Sequence, residues 1–311
     1  MLRSTLFAPA NHARRASRLT DFGADAVVLD LEDAVADAEK VDARRTVTAS
    51  LESYRDVVRC VRVNALGTGL AFDDLAAVVS PALDCVVVPK IESAAELGIF
   101  DACLLRLERA AGLGPGSVRL LPIVETARGV LGVEAIAAAG ISRVITLIFG
   151  IGDYTADLGI KPSRDAAELL YPRSRIVLAC RAHGLAPPVD GPFLDIADES
   201  LFCEDSRRGK GLGFQGRLAI HPRQVPLANE VYGQLSDQEL AEAEGIVQAF
   251  EAAERAGSAS IQVAGKFVDY PIYHQARRQV GLHRAARARM EPRQMASSVT
   301  SSTGQKTQET P

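Results

Sequence analysis

The chain has 311 residues, 47% of them hydrophobic but only 5% aromatic, which fits one large α/β domain or two small ones with an aliphatic core. Its mild formal net charge of −4 argues against a nucleic-acid partner. Five scattered cysteines without C-x-x-C spacing favour reduced thiols over disulfides or a zinc site. Because no apolar run is long enough for a signal peptide or a membrane span, we expect a cytoplasmic protein without a membrane partner.

Strand-like runs alternate with helix-like segments through the first 235 residues. The predicted strands lie near residues 4–8, 26–29, 57–63, 85–88, 119–124, 143–149, 186–189 and 216–220. The predicted helices between them include residues 11–22, 40–53, 93–109, 126–139 and 195–212. Eight such repeats predict an α/β fold, a (β/α)8 TIM barrel over residues 1–235. A doubly wound open sheet remains the alternative, because closure of a sheet cannot be read from sequence.

The chain continues beyond the eighth strand with a predicted C-terminal helical extension, residues 236–290. A capping-box pattern opens a predicted helix over residues 236–255. A short extended piece over residues 263–270 and a basic helix over residues 271–289 follow. Residues 291–311 are rich in Ser, Thr and Gln, and we predict that this tail is disordered.

Two neighbouring apolar runs of the predicted sheet each lead to an acidic residue. The fifth strand ends directly before Glu125, and the sixth reaches Asp153 after a short glycine-containing turn. Because the strands of a βαβ unit are parallel, both carboxylates should emerge at the carboxyl edge of the sheet, where such folds bind ligands. Two oxygen ligands without His or Cys beside them suit Mg²⁺. The alternative is that each acid only caps the following helix.

Polar side chains follow the other predicted strands as well. They are Asp30, Glu32 and Asp33 after strand two, Arg62 on strand three, Lys90 after strand four, Asp190 after strand seven and His221 after strand eight. This is the expected make-up of a barrel active site. Glu32 or Asp33 is a candidate to hold metal-bound water or to pair with Lys90. Arg62 is the best candidate anion clamp, with an ion pair to Glu32 or Asp33 as its alternative role.

Several of these segments resemble the citrate lyase β-subunit-like family, part of the HpcH/HpaI aldolase superfamily, which includes the malyl-CoA and citramalyl-CoA lyases. The matching segments are residues 3–9, 30–35, 40–44, 62–64, 89–93, 125–129 and 219–222. The resemblance covers about residues 2–232. It implies a (β/α)8 barrel, a homotrimer or hexamer, and Mg²⁺-dependent making or breaking of a carbon–carbon bond beside a CoA thioester.

The resemblance also implies a role for each matching rim residue. Glu125 and Asp153 become the Mg²⁺ ligands, in agreement with the argument from strand ends. Arg62 stabilises the enolate and holds the aldehyde or keto oxygen of the substrate. Glu32 and Asp33 complete the water shell and the acid–base network.

Three further residues are implicated in the same way. Arg3 helps to bind the substrate acid, and Lys90, which lies in a matching segment, is a further candidate for substrate binding. Asp269 lies in an Asp-x-Pro segment, which in malyl-CoA lyase-like members reaches a neighbouring subunit and supplies a catalytic carboxylate. Its alternative role is local, since Asp269 also stands where it would cap the helix that begins near Pro271.

The predicted reaction is the cleavage or formation of a 3-hydroxyacyl-CoA such as malyl-CoA, citramalyl-CoA or citryl-CoA, with acetyl-CoA and a 2-oxo acid as the products of cleavage. One departure leaves the substrate's side group undefined: many relatives have Gly-x-Glu-Asp where this chain has glycine at both position 150 and position 152. Two other interpretations remain. In the first alternative, the chain is a class II pyruvate-type aldolase acting on free 2-keto acids. In the second, it is a non-catalytic CoA-ester-binding subunit of a lyase complex.

Overall fold

The computed structural model describes residues 1–233, 235, 237–281 and 283–284. The chain divides into two compact units, Met1–Tyr232 and a second unit that begins at Gly233. The predicted disordered tail, residues 291–311, lies outside the described residues. No helix among the described residues is both long enough and apolar enough to cross a membrane.

The first unit is built on eight strands that close into a parallel barrel. They are β1 (Ser4–Pro9), β2 (Ala26–Asp30), β3 (Val58–Arg62), β4 (Cys85–Val88), β5 (Arg119–Val124), β6 (Ile148–Phe149), β7 (Val189–Asp190) and β8 (Gly216–Ala219). Each strand pairs with the next, and β8 returns to β1 with Arg217 opposite Ser4. This closure confirms the predicted (β/α)8 barrel and excludes the open sheet.

Helices follow the strands in alternation. Those of the first unit are α1 (Ala13–Ala16), α2 (Lys40–Leu51), α3 (Ala71–Val78), α4 (Ala94–Ala110), α5 (Ala127–Ala137), α6 (Ile151–Asp157), α7 (Leu170–Ala182), α8 (Glu199–Leu212) and α9 (Gln224–Gly233). Local capping sets several of their starts. Ser93 and Glu96 form a capping box at the start of α4, and the Thr126 side chain accepts a hydrogen bond from the Gly129 amide at the start of α5.

Three predicted elements were clearly wrong in extent, and one of them is the predicted strand over 186–189, which shares only Val189 with β7. The predicted helix over 11–22 is only the short α1 followed by a 3₁₀ turn at Leu19–Phe22. The Ser17 hydroxyl donates to the Arg14 carbonyl at 3.2 Å, a local bond that competes with a continuous helix. Of the predicted strand over 143–149, only β6 is a regular strand, although single backbone hydrogen bonds, such as that from the Ala186 amide to the Ile145 carbonyl at 3.0 Å, continue along the segment before it.

Two apolar layers stabilise the barrel. The strands' inward side chains form an interior cluster that includes Ala26, Val28, Leu121, Ile123, Ile148 and Val189. Their outward side chains pack against the helices in a larger aliphatic cluster. This arrangement fits a chain poor in aromatic residues, since small and branched side chains fill both layers. The rigid barrel leaves the strand ends to carry the chemistry.

A buried ionic cluster connects strands β7 and β8 with helices α7 and α8. Arg173 and Arg217 both reach Asp205, with closest N–O distances of 2.7 and 2.6 Å. Arg173 also lies 3.0 Å from Asp190. Burial alone would raise the pKa of the Asp205 carboxyl, but the hydrogen bonds and charges of the two arginines outweigh it and hold the pKa well below its usual range. The cluster therefore ties α7, α8 and β8 together through charges that depend on one another.

We expect Asp205→Asn to lower the free energy of unfolding at pH 7 by about 3–5 kcal/mol, because it leaves buried guanidinium groups without their anion. Since the folded pKa is depressed, this stabilisation is present above the unfolded carboxyl pKa of about 3.9 and is lost as the pH falls below it. The difference in the free energy of unfolding between Asp205→Asn and wild type, measured by chemical denaturation between pH 7 and pH 3, should therefore become smaller at low pH. The exposed Glu204→Gln on α8 is the control, and a pH-independent difference would contradict the assignment.

The second unit contains a helix, a hairpin and a further helix. Helix α10 (Asp237–Arg255) matches the predicted helix, although Ser236 of the capping box lies outside the described residues. The predicted extended piece is part of a hairpin of β9 (Ile261–Val263) and β10 (Lys266–Val268). Residues 270–281 form a helix, α11, where the basic helix over 271–289 was predicted, and residues 285–289 of that prediction lie outside the described residues. Phe250 stacks on Tyr273 at 4.7 Å between ring centroids and joins α10 to α11.

Candidate active site

The carboxyl ends of β2 to β6 gather acidic and basic side chains at one rim of the barrel. They are Asp30, Glu32 and Asp33 from β2 and its loop, Arg62 from β3, Lys90 after β4, Glu125 after β5, and Asp153 in the first turn of α6. Ion pairs and hydrogen bonds connect them into one cluster. The structure therefore brings together the six rim residues to which the sequence analysis assigns a role, and it joins to them Asp30, which was predicted only to lie at a strand end.

Glu125 is deeply buried in the cluster, with 2% of its surface exposed, as is Asp30. Its Oε1 accepts a hydrogen bond from the Lys90 amide at 2.7 Å. Burial, and then the negative charges of Asp153 and Glu32, raise the pKa of Glu125 to about 8. A carboxylate held this way is electrostatically unfavourable unless a cation lies beside it.

Lys90 lies between the acids. Its ammonium is 2.6 Å from Glu32, 3.3 Å from Asp33 and 3.9 Å from Asp153. Burial alone would lower the pKa of Lys90, but the hydrogen bond and charge of Glu32 outweigh it and raise the pKa, so the side chain is cationic at neutral pH. Its backbone has φ 51°, in the left-handed region that few non-glycine residues adopt, and this turn aims its amide at Glu125.

Arg62 is held by a fork of hydrogen bonds. Its Nε and Nη2 donate to the two carboxylate oxygens of Asp30 at 2.7 and 2.6 Å. Its guanidinium carbon lies 5.4 Å from the centroid of the Phe7 ring. Nη1 is 2.9 Å from Glu32 Oε2. The predicted alternative, an ion pair with Glu32, is therefore present, but the main partner is Asp30. These two hydrogen bonds fix the plane of the guanidinium, and its Nη1 faces Glu32.

Glu32 and Asp33 have different surroundings. Glu32 is buried, and its Oε2 has no well-aligned hydrogen-bond donor among the described residues although Arg62 is close. Burial raises the pKa of Glu32, and the charges of Arg62 and Lys90 offset only part of that effect. The side chain of Asp33 is 56% exposed. The loop thus offers one buried acceptor oxygen and one accessible carboxylate.

The residues present suit a divalent cation. Within the described part of the chain, the five carboxylates of the rim pair with two cationic side chains, Arg62 and Lys90. The negative charges of Asp153 and Glu32 both raise the pKa of Glu125, and a cation between Glu125 and Asp153 would relieve this repulsion. Among the described residues, no three His, Cys, Asp or Glu side chains surround one common position. Mg²⁺ usually takes one or two protein carboxylates and fills the rest with water or substrate oxygens.

The backbone of Gly150 creates the space for Glu125. A Cβ atom at position 150 would overlap Oε2 and Cβ of Glu125 and would lie 2.9 Å from Ile123. At Gly152, two residues along, an added Cβ meets nothing within 4 Å. Glycine at position 150 is thus required by the site, whereas glycine at position 152 is not required by packing.

We expect Gly150→Ala to lower Mg²⁺ affinity by about tenfold or more, because the new methyl group displaces the Glu125 carboxylate. Gly152→Ala is the matched control on the same turn and should bind Mg²⁺ as wild type does. Isothermal titration of both variants with MgCl₂ measures the difference. Equal affinities for the two variants would show that Glu125 does not hold the cation.

A basic cavity of about 550 Å³ adjoins the rim beside β1 and β8. Its lining includes Phe7, His221 and the exposed arginines Arg14, Arg15 and Arg18. His221 Nδ1 accepts a hydrogen bond from the Arg223 amide at 3.2 Å, so a neutral His221 carries its proton on Nε2. The cavity combines an apolar wall with positive charge and could receive an elongated anionic ligand.

The structure does not bring Arg3 into the site. Arg3 precedes β1 and therefore lies at the amino end of the barrel, opposite the rim. Its Nε and Nη2 bind the two oxygens of Asp25 at 2.8 and 2.6 Å. The predicted contact with the substrate acid is corrected accordingly, since the strand separates this side chain from the rim by its full length.

Asp269 lies in the second unit and has a local role there. Its carbonyl accepts a hydrogen bond from the Tyr273 amide at 2.9 Å, and its Oδ1 accepts one from the Ile272 amide at 3.4 Å. These bonds cap the start of α11, as the local alternative predicted. A catalytic role for Asp269 stays a prediction.

The sequence profile of the HpcH/HpaI aldolase/citrate lyase family matches residues 3–222. The chain belongs to this family. It is 37% identical over 277 residues to the citrate lyase subunit beta of Escherichia coli K12, covering 88% of this chain and 91% of the relative. It is 34% identical over 297 residues to an L-malyl-CoA/beta-methylmalyl-CoA lyase of Cereibacter sphaeroides, covering 88% and 92% of the two chains.

The fold agrees with a solved structure of the same HpcH/HpaI aldolase/citrate lyase family. The crystal structure of CitE from Mycobacterium tuberculosis in complex with magnesium, acetoacetate and coenzyme A superposes with a TM-score of 0.71 and 32% identity, covering 89% of this chain and 97% of that one. The relatives are carbon–carbon lyases, and this chain is one as well.

The sequence did not indicate that Asp30 binds Arg62 or that Gly150 makes room for Glu125 in this HpcH/HpaI-type site. Asp30 was noted only as a strand end, although it lies directly opposite Arg62 in the parallel register of β2 and β3. To predict that register from the sequence, one would have to assume that the last residues of β2 and β3 lie opposite each other. Gly150 carried a weaker signal, a small residue directly after a strand and three residues before an acid.

Proposed function

We propose that the protein is a Mg²⁺-dependent CoA-ester lyase that cleaves or forms a 3-hydroxyacyl-CoA such as malyl-CoA, citramalyl-CoA or citryl-CoA. The observation that carries the proposal is the rim cluster, in which Glu125 feels the charges of Asp153 and of the Arg62 guanidinium, which Asp30 fixes. Cleavage yields acetyl-CoA and a 2-oxo acid. The named relatives, a citrate lyase subunit beta and a malyl-CoA lyase, support this class of substrate.

Glu125 and Asp153 would hold the Mg²⁺, which when bound polarises a substrate oxygen and offsets developing negative charge. A carboxylate of the Glu32–Asp33 loop accepts the proton of the substrate hydroxyl. The carbon–carbon bond then breaks, and its electron pair passes to the thioester carbonyl as an enolate. Arg62 donates hydrogen bonds where that charge develops, and protonation of the enolate carbon completes acetyl-CoA.

The basic cavity beside β1 supports a CoA ester over a free acid. Its three arginines match the phosphates of CoA, while Phe7 lies between the cavity and the guanidinium of Arg62. A substrate that occupies the cavity would reach the rim along β1. Lys90 would contribute positive charge to substrate binding from the opposite side of the cluster.

The test is a substrate screen with the purified protein alone. We expect Mg²⁺-dependent release of acetyl-CoA and a 2-oxo acid from at least one 3-hydroxyacyl-CoA, detected by chromatography, and no release after EDTA treatment. Cleavage confined to free 4-hydroxy-2-oxo acids would instead indicate a class II pyruvate-type aldolase. Binding of CoA esters without turnover would indicate a non-catalytic subunit of a lyase complex.

We further propose that residues 1–235 form the catalytic domain and that residues 236–290 act as a lid in a homotrimer or hexamer. The motivation is Asp269, which stands between a hairpin and α11 and lies near Gly265 with φ 80°. In this proposal Asp269 supplies a carboxylate to the rim of a neighbouring subunit. Capping of α11 by the same residue is compatible with it.

Asp269→Ala and Arg62→Ala are each expected to be nearly inactive. When the two variants are mixed under conditions of subunit exchange, part of the activity should return, because some sites then combine an intact Arg62 with an intact Asp269. Acetyl-CoA release measures the recovery, and native mass spectrometry measures the exchange. Exchange without recovery would leave Asp269 as a helix cap only.

A further inference from the structure

We propose that Lys40 is a positioning residue of the rim: its buried ammonium fixes the backbone of the loop that carries Glu32 and Asp33. Lys40 begins α2 and is only 6% exposed. The inference rests on the proposed function of that loop, and it deepens that function by explaining how the carboxylate of Glu32 keeps its place.

The ammonium of Lys40 has a complete set of acceptors. Its Nζ donates to the carbonyl of Leu31 at 2.9 Å, to the carbonyl of Glu32 at 3.0 Å and to Asn64 Oδ1 at 2.7 Å. An ammonium has three N–H donors, so these bonds use all of them. Two of the three acceptors are consecutive peptide carbonyls of the loop itself.

The charge of Lys40 is poorly explained by stability alone. Its direct acceptors are neutral oxygens, and the carboxylate of Asp37 is 3.9 Å away on a side chain that is 95% exposed. Burying a cation among neutral groups is costly compared with burying an apolar side chain of similar size. The cation does, however, orient two carbonyls at once, which no apolar side chain can do.

Asn64 gives the ammonium a rigid support. Its backbone amide and its Nδ2 donate to Asp74 Oδ2 at 2.8 and 2.6 Å, and Asp74 is itself held by Arg44 Nε at 2.7 Å. Nδ2 also donates to the Leu31 carbonyl at 3.0 Å. These bonds orient the amide so that Oδ1 faces Lys40.

The opposite side of the loop is fixed by Asp30. Its carboxylate accepts hydrogen bonds from the amides of Glu32 at 2.9 Å and Ala34 at 3.3 Å. The peptide groups on both sides of the Glu32 α-carbon are therefore held, the amide by Asp30 and the carbonyl by Lys40. Only the side-chain torsions of Glu32 remain free, and its carboxylate is directed to Arg62 and Lys90.

The test is chemical rescue of Lys40→Ala. The variant should lose about 10- to 100-fold in kcat with a smaller change in KM, the range typical for loss of a supporting hydrogen-bond partner. Amides of residues 31–35 should exchange faster in hydrogen-exchange mass spectrometry. Methyl-, ethyl- or n-propylammonium should restore both properties in part, whereas n-propanol and, in Lys40→Met, the same amines should not.

Val47→Ala is the control, since Val47 is a buried residue of the same helix and carries no polar group. It should lower stability without slowing turnover or exposing the loop. Rescue of Lys40→Ala by amines and not by propanol would support the positioning role. Loop exchange equal to wild type in Lys40→Ala, or a defect that amines do not reverse, would overturn it. Because exchange is read without substrate, the inference stays testable even if the wild-type protein cleaves no CoA ester, an outcome that would refute only the proposed function.

Discussion

Arg62→Lys is expected to lower kcat/KM by about two orders of magnitude or more, the scale of losing one donor to a transition-state oxyanion. Lysine keeps the charge but is a point donor, and it cannot bind both oxygens of Asp30 while it also faces Glu32. Steady-state kinetics on the substrate found in the screen measures the loss. Activity within a fewfold of wild type would reduce Arg62 to a structural ion pair.

The same strand supplies a matched control for this substitution. Arg59, at the amino end of β3, binds both oxygens of Asp84 through Nε and Nη2 at 2.9 and 2.8 Å. Arg59→Lys breaks the same kind of fork, three residues away, at the end of the barrel opposite the rim. We expect a comparable loss of stability from both variants but a large loss of kcat/KM only from Arg62→Lys.

Asp153→Asn is expected to abolish turnover and to lower Mg²⁺ affinity by at least about 100-fold, the upper end of what loss of an outer-sphere partner costs. The amide keeps the shape of the side chain but removes the anionic oxygen that a hard cation needs. Isothermal titration with MgCl₂ gives the affinity in the absence of substrate. Wild-type affinity in this variant would show that the cation site has been assigned wrongly.

Asp157→Asn provides the control for Asp153→Asn. Asp157 lies on the same short helix, α6, and its carboxylate accepts a hydrogen bond from the Ala127 amide at 2.8 Å. Asp157→Asn removes the same single negative charge from α6 as Asp153→Asn does, but it leaves the side chains of the rim unchanged. Mg²⁺ affinity should therefore stay within a fewfold of wild type in Asp157→Asn.

The sequence was sufficient to place the two acids proposed as metal ligands at one rim, because that prediction needed only strand direction. Glu125 and Asp153 follow consecutive parallel strands, and parallel strands end at one edge whatever their exact register. The pairing of Lys90 with Glu32 was foreseen as one of the options for the same reason. The partner of Arg62 was missed, because it depends on which residue of β2 lies opposite Arg62 across the sheet.

Strand direction also contradicts one role that the resemblance implied. Arg3 stands before β1, so strand direction alone places it at the amino end, where it binds Asp25. The break in the predicted helix over 11–22 could not be foreseen from periodicity, because local hydrogen bonds such as that of the Ser17 hydroxyl leave no trace in the apolar pattern. Likewise, the role proposed for Lys40 could not be predicted from the sequence, because its hydrogen bonds depend on the folded backbone of the loop.

The left-handed backbone of Lys90 has a consequence for protein engineering. A non-glycine residue in this conformation carries about 1–3 kcal/mol of strain, so a stabilisation campaign that ranks positions by backbone geometry would select residue 90 early and replace it with glycine or asparagine. Such a variant would keep the amide that binds Glu125 but would lose the ammonium shared by three acids. Improved thermal tolerance and impaired catalysis would then arise from one and the same substitution, and screening by melting temperature alone would enrich for inactive protein.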